Sequence, residues 1–190
     1  MIEVRAIRPE EGDVLREVRL AALRNAPGLK VSDRAIEDGL MSVEWPARLQ
    51  PLTRCPLAEL VRAQAPKDSA LWLDGGHNPD AGRALAEWAK ADPRPLYLIA
   101  GMLNTKDAAG FFAPLAAHVA DLMTVAIPGA EAGLPAAVLA KEASMAGLKA
   151  KAAPDVGTAL AQLAAAAKVP SRFLICGSLY LAGAVLADNA

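Results

Sequence analysis

The residues best suited to chemistry lie together in the segment 71–80. An apolar run ends at Asp74, two glycines follow, and His77 precedes Asn78 and Pro79, which open an alanine- and leucine-rich stretch. Asn is a favoured helix N-cap and proline suits the first helical position, so this order predicts a strand, a tight turn and a helix. The junction would place a carboxylate and an imidazole beside a helix N-terminus, which favours anionic ligands. The two glycines, having no Cβ, would let a ligand approach the backbone.

Two further apolar runs end in the same way. The run 96–100 is closed by Gly101, and the run 173–176 is closed by Gly177 and Ser178. Strands alternating with helices of 10 to 15 residues are typical of a mainly parallel, Rossmann-like α/β sheet with helices on both faces. Ligands bind such sheets outside the carboxyl ends of the strands. We expect strands near 71–74, 95–100, 121–127, 148–152 (an edge) and 172–176, and helices near 79–91, 107–118, 135–146, 155–168 and 179–188.

The first 70 residues divide into two regions. Residues 1–27 predict a strand and an amphipathic helix, ended by Pro27 and Gly28. Residues 28–70 are mixed, with a turn at 45–50 leading into a strand and residues 58–62 pairing with that strand as a hairpin. We therefore expect two parts, an N-terminal βα appendage over 1–27 and one domain over 28–190.

Composition excludes several classes of function. A hydrophobic fraction of 54% argues against disorder, and a net charge of −1 gives no reason to expect nucleic acid or a membrane surface as partner. The two cysteines form no CxxC pair, which argues against a zinc site or disulfide framework and fits a reducing cytoplasm. The chain has neither an apolar run long enough to span a bilayer nor, at its charged start, the core of a signal peptide. A cytoplasmic protein is expected.

Three candidate residues each have two interpretations. Arg48, beside a rigid Trp-Pro turn, suits a phosphate or ring, or else covers the tryptophan at the surface. Asp74 suits ribose hydroxyls, or else braces its own turn. His77 suits a substrate carboxylate or proton transfer, or else lies exposed in a capping turn.

Two further candidates lie in the other glycine turns. Lys106 follows Gly101 in a loop that is not a Walker A motif, because Thr105 precedes the lysine and Asp107 follows it. It would add positive charge to a cleft, or else is a solvated lysine at a helix start. Ser178 caps the last helix, hydrogen-bonds a substrate, or does both. The other histidine, His118, has no partner at metal-ligand spacing, so no protein-only metal site is expected.

Four motifs, taken in order, resemble one family. They are VEWPARLQ at 43–50, LDGGHNP at 73–79, GMLNTKD at 101–107 and CGSLYLAG at 176–183. Together they resemble the C-terminal domain of bifunctional folylpolyglutamate synthase/dihydrofolate synthase, in the Mur ligase superfamily. Ala47 stands where many members of that family have glycine.

The resemblance implies an ATP- and Mg-dependent ligase that activates a folate or pteroate carboxylate as an acyl phosphate, which the amine of glutamate attacks. It implies that Arg48 lies near the ATP phosphates and Asp74 at the ribose. It also implies that His77, Asn78 and Ser178 lie on the glutamate side of the cleft. ATP, glutamate and folate or pteroate are the implied partners.

The first 27 residues do not fit that family's central ATPase domain. They resemble instead the opening strand and helix of GNAT-type acetyltransferases, so we interpret the chain as a chimera. Without a P-loop or metal ligands, the ligase is expected to be inactive alone and to need a separate ATPase domain. The alternative is a non-catalytic structural or interaction module, which could self-associate. An N-acetyltransferase is the third possibility, against which stands the missing acetyl-CoA loop.

Overall fold

The computed structural model describes residues 32, 34, 35 and 46–188. The chain divides into two units, Met1–Pro46 and Ala47–Ala190, and every helix and strand named below belongs to the second. The predicted appendage over 1–27 and the predicted boundary near residue 28 lie outside the described residues. Both stay predictions.

The second unit is a six-stranded α/β layer. The strands run in the order β1-β2-β6-β3-β4-β5, and all neighbours are parallel except β1 and β2, which are antiparallel. The predicted mainly parallel sheet is confirmed. In chain order the elements are β1 Gln50–Leu52, α1 Pro56–Gln64, β2 Ala70–Leu73, α2 Pro79–Lys90, β3 Leu96–Ala100, α3 Ala108–Phe112, β4 Val119–Thr124, α4 Ala136–Met145, β5 Ala150–Ala152, α5 Val156–Ala166, β6 Arg172–Cys176 and α6 Leu179–Asp188.

Alternating side chains of the central strands build a core on each face of the sheet. In β6, Phe173 and Ile175 pack on one face with residues of α1, α5 and α6. Leu174 and Cys176 pack on the other face with residues of α2, α3 and α4. Both faces are therefore covered, as the strand-helix alternation predicts. Among the described residues no helix is long and apolar enough to span a membrane.

Two local predictions were wrong for a clear reason. Residues 58–62 do not form a hairpin strand but lie within α1, where Pro56 takes the first helical turn and strong helix formers follow. The antiparallel partner of β1 is β2 instead. The helix expected over 107–118 ends as an α-helix at Phe112 and continues as a 3-10 turn, Ala113–Leu115, that contains Pro114.

The amino-terminal edge of the sheet is fixed by a buried arginine. Arg172, 2% exposed, opens β6, and its Nη2 donates to the carbonyls of Ala89 at 2.8 Å, Asp92 at 2.7 Å and Arg94 at 3.1 Å. Its guanidinium also lies 4.7 Å from the ring centroid of Trp88. These contacts tie the end of α2 and the following loop to the centre of the sheet, at the end opposite the carboxyl ends of the strands.

Candidate functional site

The three glycine-marked turns meet at the carboxyl edge of the sheet, because β2, β6 and β3 are neighbours there. The Gly177 N–H donates to the Gly76 carbonyl at 3.0 Å, and the Gly101 N–H donates to the Cys176 carbonyl at 3.2 Å. Gly177 has a φ of 98°, and a Cβ there would lie 2.8 Å from the Gly101 carbonyl oxygen. The backbones of the turns are thus packed against each other without an intervening side chain.

A cleft of about 220 Å³ opens beside these turns. It brings together three of the predicted site residues, one from each turn: His77, Lys106 and Ser178. Four further residues complete its lining: Leu103, Gly177, Leu179 and Tyr180. The volume suits a small polar molecule of amino-acid size rather than a whole nucleotide.

The imidazole of His77 is fixed by its own turn. Its Nδ1 lies 2.8 Å from the Gly75 carbonyl oxygen. Because a carbonyl only accepts hydrogen bonds, Nδ1 carries the proton in this contact and Nε2 of the neutral ring keeps its lone pair. His77 is half-buried at the cleft, so the ring can accept a proton or a hydrogen bond there without losing its anchor.

The two other predicted site residues of the cleft, Ser178 and Lys106, differ in how far their side chains are held by the protein. Ser178 is 3% exposed, and its Oγ accepts a hydrogen bond from the Tyr180 N–H at 3.1 Å at the start of α6. The hydroxyl proton is still available for a ligand, so capping and binding are compatible. Lys106 is exposed and has no ion pair with any residue of the described part. The cleft therefore carries a positive charge that no described carboxylate neutralises.

Asp74 ends β2 and braces the backbone around it. Its Oδ1 accepts from the Gly76 N–H at 2.7 Å, and its Oδ2 accepts from the Leu49 N–H at 2.9 Å. The side chain is buried, so the bracing interpretation of Asp74 describes contacts that exist in the structure. Each oxygen retains a lone pair, and the predicted ribose contact stays a prediction.

Arg48 lies in a strained turn next to Asp74. Its neighbours Ala47 and Leu49 both have left-handed backbones, with φ of 56° and 42°. The turn is held by three hydrogen bonds: Ala47 N–H to the Gln50 Oε1 at 2.9 Å, Gly75 N–H to the Ala47 carbonyl at 2.8 Å, and the Leu49–Asp74 bond. The Arg48 side chain is exposed and makes no hydrogen bond or ion pair within the described part of the chain.

Two residues near the turns have structural roles. Asn78 caps α2, with its Oδ1 accepting from the Ala81 N–H at 2.8 Å, and it does not line the cleft. Its predicted place on the glutamate side stays a prediction. Cys176 is fully buried, and burial, with the nearby Asp74 charge, raises the pKa of its thiol well above the usual range. The thiol stays protonated and acts as a small apolar side chain.

Comparison with known proteins identifies the family. A family model described as the Mur ligase glutamate ligase domain matches residues 58–179. The chain belongs to that family. The dihydrofolate synthase/folylpolyglutamate synthase of Escherichia coli K12 is 32% identical over 169 residues, which are 88% of this chain and 36% of that protein. The chain thus spans about a third of the length of this relative.

Solved structures of folylpolyglutamate synthase/dihydrofolate synthases have the same fold as this chain. The E. coli enzyme in complex with DHPP and ADP superposes with a TM-score of 0.69 at 29% identity, covering 98% of this chain and 40% of that one. A bifunctional synthase with Mn, AMPPNP and L-glutamate bound gives 0.68 at 28% identity, covering 88% and 37%. None of these relatives supports the resemblance of residues 1–27 to an acetyltransferase, so the chimera remains a prediction.

The described part of this Mur ligase domain has an exposed cationic group but no cluster of metal-ligand side chains. Arg48 is an exposed guanidinium on a braced turn, which fits a phosphate. No group of three His, Cys, Asp or Glu side chains that could hold a metal occurs among the described residues. The described residues therefore supply no metal cluster of their own for the magnesium that the family resemblance implies, and the metal has no assigned step in this domain.

Sequence reasoning missed three residues of the site. Gln50 was predicted only as the end of the 45–50 turn and of the first motif, with no role in the site, although its side chain closes the Arg48 turn. Leu179 and Tyr180 line the cleft and are 49% and 67% exposed. The available signal was position alone, since Gln50 lies two residues after Arg48 and the other pair directly follows Ser178.

Proposed function

We propose that this chain is the nucleotide- and glutamate-contacting domain of an ATP-dependent folate–glutamate amide ligase. The observation that carries the proposal is the cleft, in which one side chain from each of three neighbouring turns, His77, Lys106 and Ser178, faces a volume of amino-acid size. The family match and the relatives solved with nucleotide, DHPP or L-glutamate support the same assignment.

The cleft has the groups that an amino-acid substrate needs. The Lys106 ammonium, unpaired within the described part, binds a carboxylate of glutamate, and the Ser178 hydroxyl donates a second hydrogen bond to it. The glutamate nitrogen attacks only as the free amine, so a proton must leave it. The His77 Nε2, whose lone pair is free because Nδ1 is anchored to Gly75, takes that proton.

The nucleotide contacts the turn at the start of β1. Arg48 binds the phosphates, while the buried Asp74 holds the turn and offers its remaining lone pairs to the ribose. Bound ATP supplies the phosphoryl group that activates a folate or pteroate carboxylate. The amide product then forms as the glutamate nitrogen displaces phosphate.

The 190 residues are not expected to complete the reaction by themselves. Phosphoryl transfer needs a phosphate cradle and a metal ion. The sequence contains no Walker A motif, and the described residues contain no metal cluster. A separate ATPase domain is therefore the proposed partner in catalysis.

The test is a pair of titrations followed by amide NMR shifts, with acetyl-CoA as the ligand expected not to bind. L-glutamate should shift amides around His77, Lys106 and Ser178, and AMPPNP should shift those around Arg48 and Asp74. Lys106→Ala should weaken glutamate binding by about tenfold or more, since it removes a charged hydrogen bond. Lys141→Ala, on the exposed face of α4, is the matched control and should change nothing.

The outcomes separate the possibilities. Absence of shifts with both ligands at millimolar concentration would refute the proposed site. Turnover of ATP, folate and glutamate by these 190 residues alone would leave the site in place but refute the need for an ATPase domain. Shifts with acetyl-CoA would instead favour the acetyltransferase interpretation.

A further inference from the structure

The turn that carries Arg48 is closed by a side chain rather than by the backbone. The Gln50 Oε1 accepts the Ala47 N–H at 2.9 Å, which spans the same four residues as a β-turn hydrogen bond. Gln50 is itself fixed, because it opens β1 and pairs with Leu73 of β2. The backbone from which the amide oxygen reaches the Ala47 N–H therefore has a defined place in the sheet.

The conformation that this contact holds is an unfavourable one. Residues other than glycine rarely adopt a positive φ, and here Ala47 and Leu49 both do so, on either side of Arg48. Such strain persists only where the surroundings over-determine the backbone, and it concentrates at functional sites. Asp74 fixes the Leu49 side of the turn, and on the Ala47 side Gln50 binds the N–H while the Gly75 N–H binds the carbonyl.

We propose that Gln50 is a positioning residue that holds Arg48 in place for the phosphates of the nucleotide. This rests on the proposed function of Arg48. Without the Gln50 acceptor, the Ala47 N–H loses its partner and the turn relaxes toward backbone conformations with negative φ. The guanidinium is then no longer pre-organised, so nucleotide binding must include the cost of ordering it.

The test is a double-mutant cycle on AMPPNP affinity, measured by calorimetry on the full 190-residue chain. Gln50→Met keeps the length of the side chain but removes the acceptor, and it should weaken binding about fivefold, the effect of one hydrogen bond. Arg48→Ala should weaken binding by about tenfold or more. In the Arg48→Ala background, Gln50→Met should add less than about twofold, because its effect passes through Arg48. Gln162→Met, on α5, is the matched control and should leave the affinity unchanged.

Amide exchange gives a second readout that needs no ligand. Exchange at the Ala47 N–H should accelerate in Gln50→Met and stay slow in Gln50→Glu, which keeps an acceptor oxygen. Unchanged exchange in Gln50→Met would overturn the inference even if that variant bound nucleotide poorly for other reasons.

The binding results distinguish the positioning role of Gln50 from the proposed nucleotide site at Arg48. If Arg48→Ala weakens binding and Gln50→Met does not, the positioning role is wrong and the nucleotide site stands. An equal effect of Gln50→Met with and without Arg48 also overturns the positioning role. If Arg48→Ala leaves AMPPNP affinity unchanged, or the chain does not bind AMPPNP, both proposals fail.

Discussion

Replacing Gly177 with alanine tests whether the glycine turns at the cleft are as closely packed as the structure shows. Gly177 has a φ of 98°, which alanine tolerates poorly. Its new Cβ would lie 2.8 Å from the Gly101 carbonyl oxygen and within 3.5 Å of two more backbone atoms of Gly101. Backbone atoms cannot rotate away as a side chain can, so β6 and β3 would have to separate at their carboxyl ends.

The expected cost follows from these two effects. A left-handed conformation costs an L-residue about 1–2 kcal/mol, and overpacking a tight contact costs about 1–3 kcal/mol. We expect Gly177→Ala to lower the free energy of unfolding by about 3 kcal/mol. Gly183 supplies the control, because it lies inside α6 and a Cβ added there would meet no atom within 4 Å. Gly183→Ala should raise stability by about 1 kcal/mol through helix propensity alone.

Urea unfolding followed by tryptophan fluorescence, to which Trp72 and Trp88 of the sheet and α2 contribute, measures both variants in the same assay. Opposite signs for the two substitutions would support the packing argument. A Gly177→Ala variant within about 0.5 kcal/mol of the parent chain would refute it. Because Gly177 precedes Ser178, the same variant should also lose the glutamate-induced shift at Ser178, and Gly183→Ala should keep it.

Two further predictions concern the opposite edge of the sheet. Arg172→Met should cost about 3 kcal/mol or more in thermal unfolding, because three carbonyls at least partly shielded from water lose a charged donor. Arg83→Met, on the exposed face of α2, should cost less than about 0.5 kcal/mol, and equal losses would contradict this account. Arg94 hydrogen bonds lower the pKa of Asp92 to about 2. The stabilisation that the ionised Asp92 gives the folded state is fully present above the ordinary carboxyl pKa of about 4 and is lost as the pH falls toward 2. The Asp92→Asn variant should therefore lose less stability than the parent chain between about pH 4 and about pH 2. Melting temperatures of both proteins measured across this pH range test this, and parallel curves of melting temperature against pH would contradict it.

The sequence predicted the parts of the fold in which residue type alone marks the end of a strand. A run of apolar residues closed by glycine located β2, β3 and β6, and parallel pairing then required their ends to meet at one edge. That is why the turns that carry His77, Lys106 and Ser178, which are distant in sequence, could be expected at one edge of the sheet from residue order and type, and the three side chains line one cleft in the structure.

The features that were missed depend on contacts between distant parts of the chain. The order of residues does not show that β1 pairs with β2, although Pro56 and the helix formers after it do favour a helix over residues 58–62. The side-chain contact of Gln50 occurs together with a positive φ at Ala47, which residue type does not reveal. In the same way, Arg172 looks like an ordinary arginine before a strand until the end of α2 covers it.

The Gly75-Gly76 pair is explained by close packing within the protein rather than by the space for a ligand that the sequence suggested. The glycines suggested room for a ligand, but a Cβ on Gly75 would lie 2.2 Å from the Leu179 Cδ2, and one on Gly76 would lie 2.7 Å from the Asp74 Oδ1. The space is already filled by the protein. The Gly75 N–H bonds to the Arg48 turn and the Gly76 carbonyl bonds to the Gly177 turn. The pair therefore connects the proposed nucleotide and glutamate contacts. An alanine at Gly75 would have to displace the Leu179 side chain, whereas one at Gly76 would press on the buried Asp74 side chain and on the Ala81 Cβ.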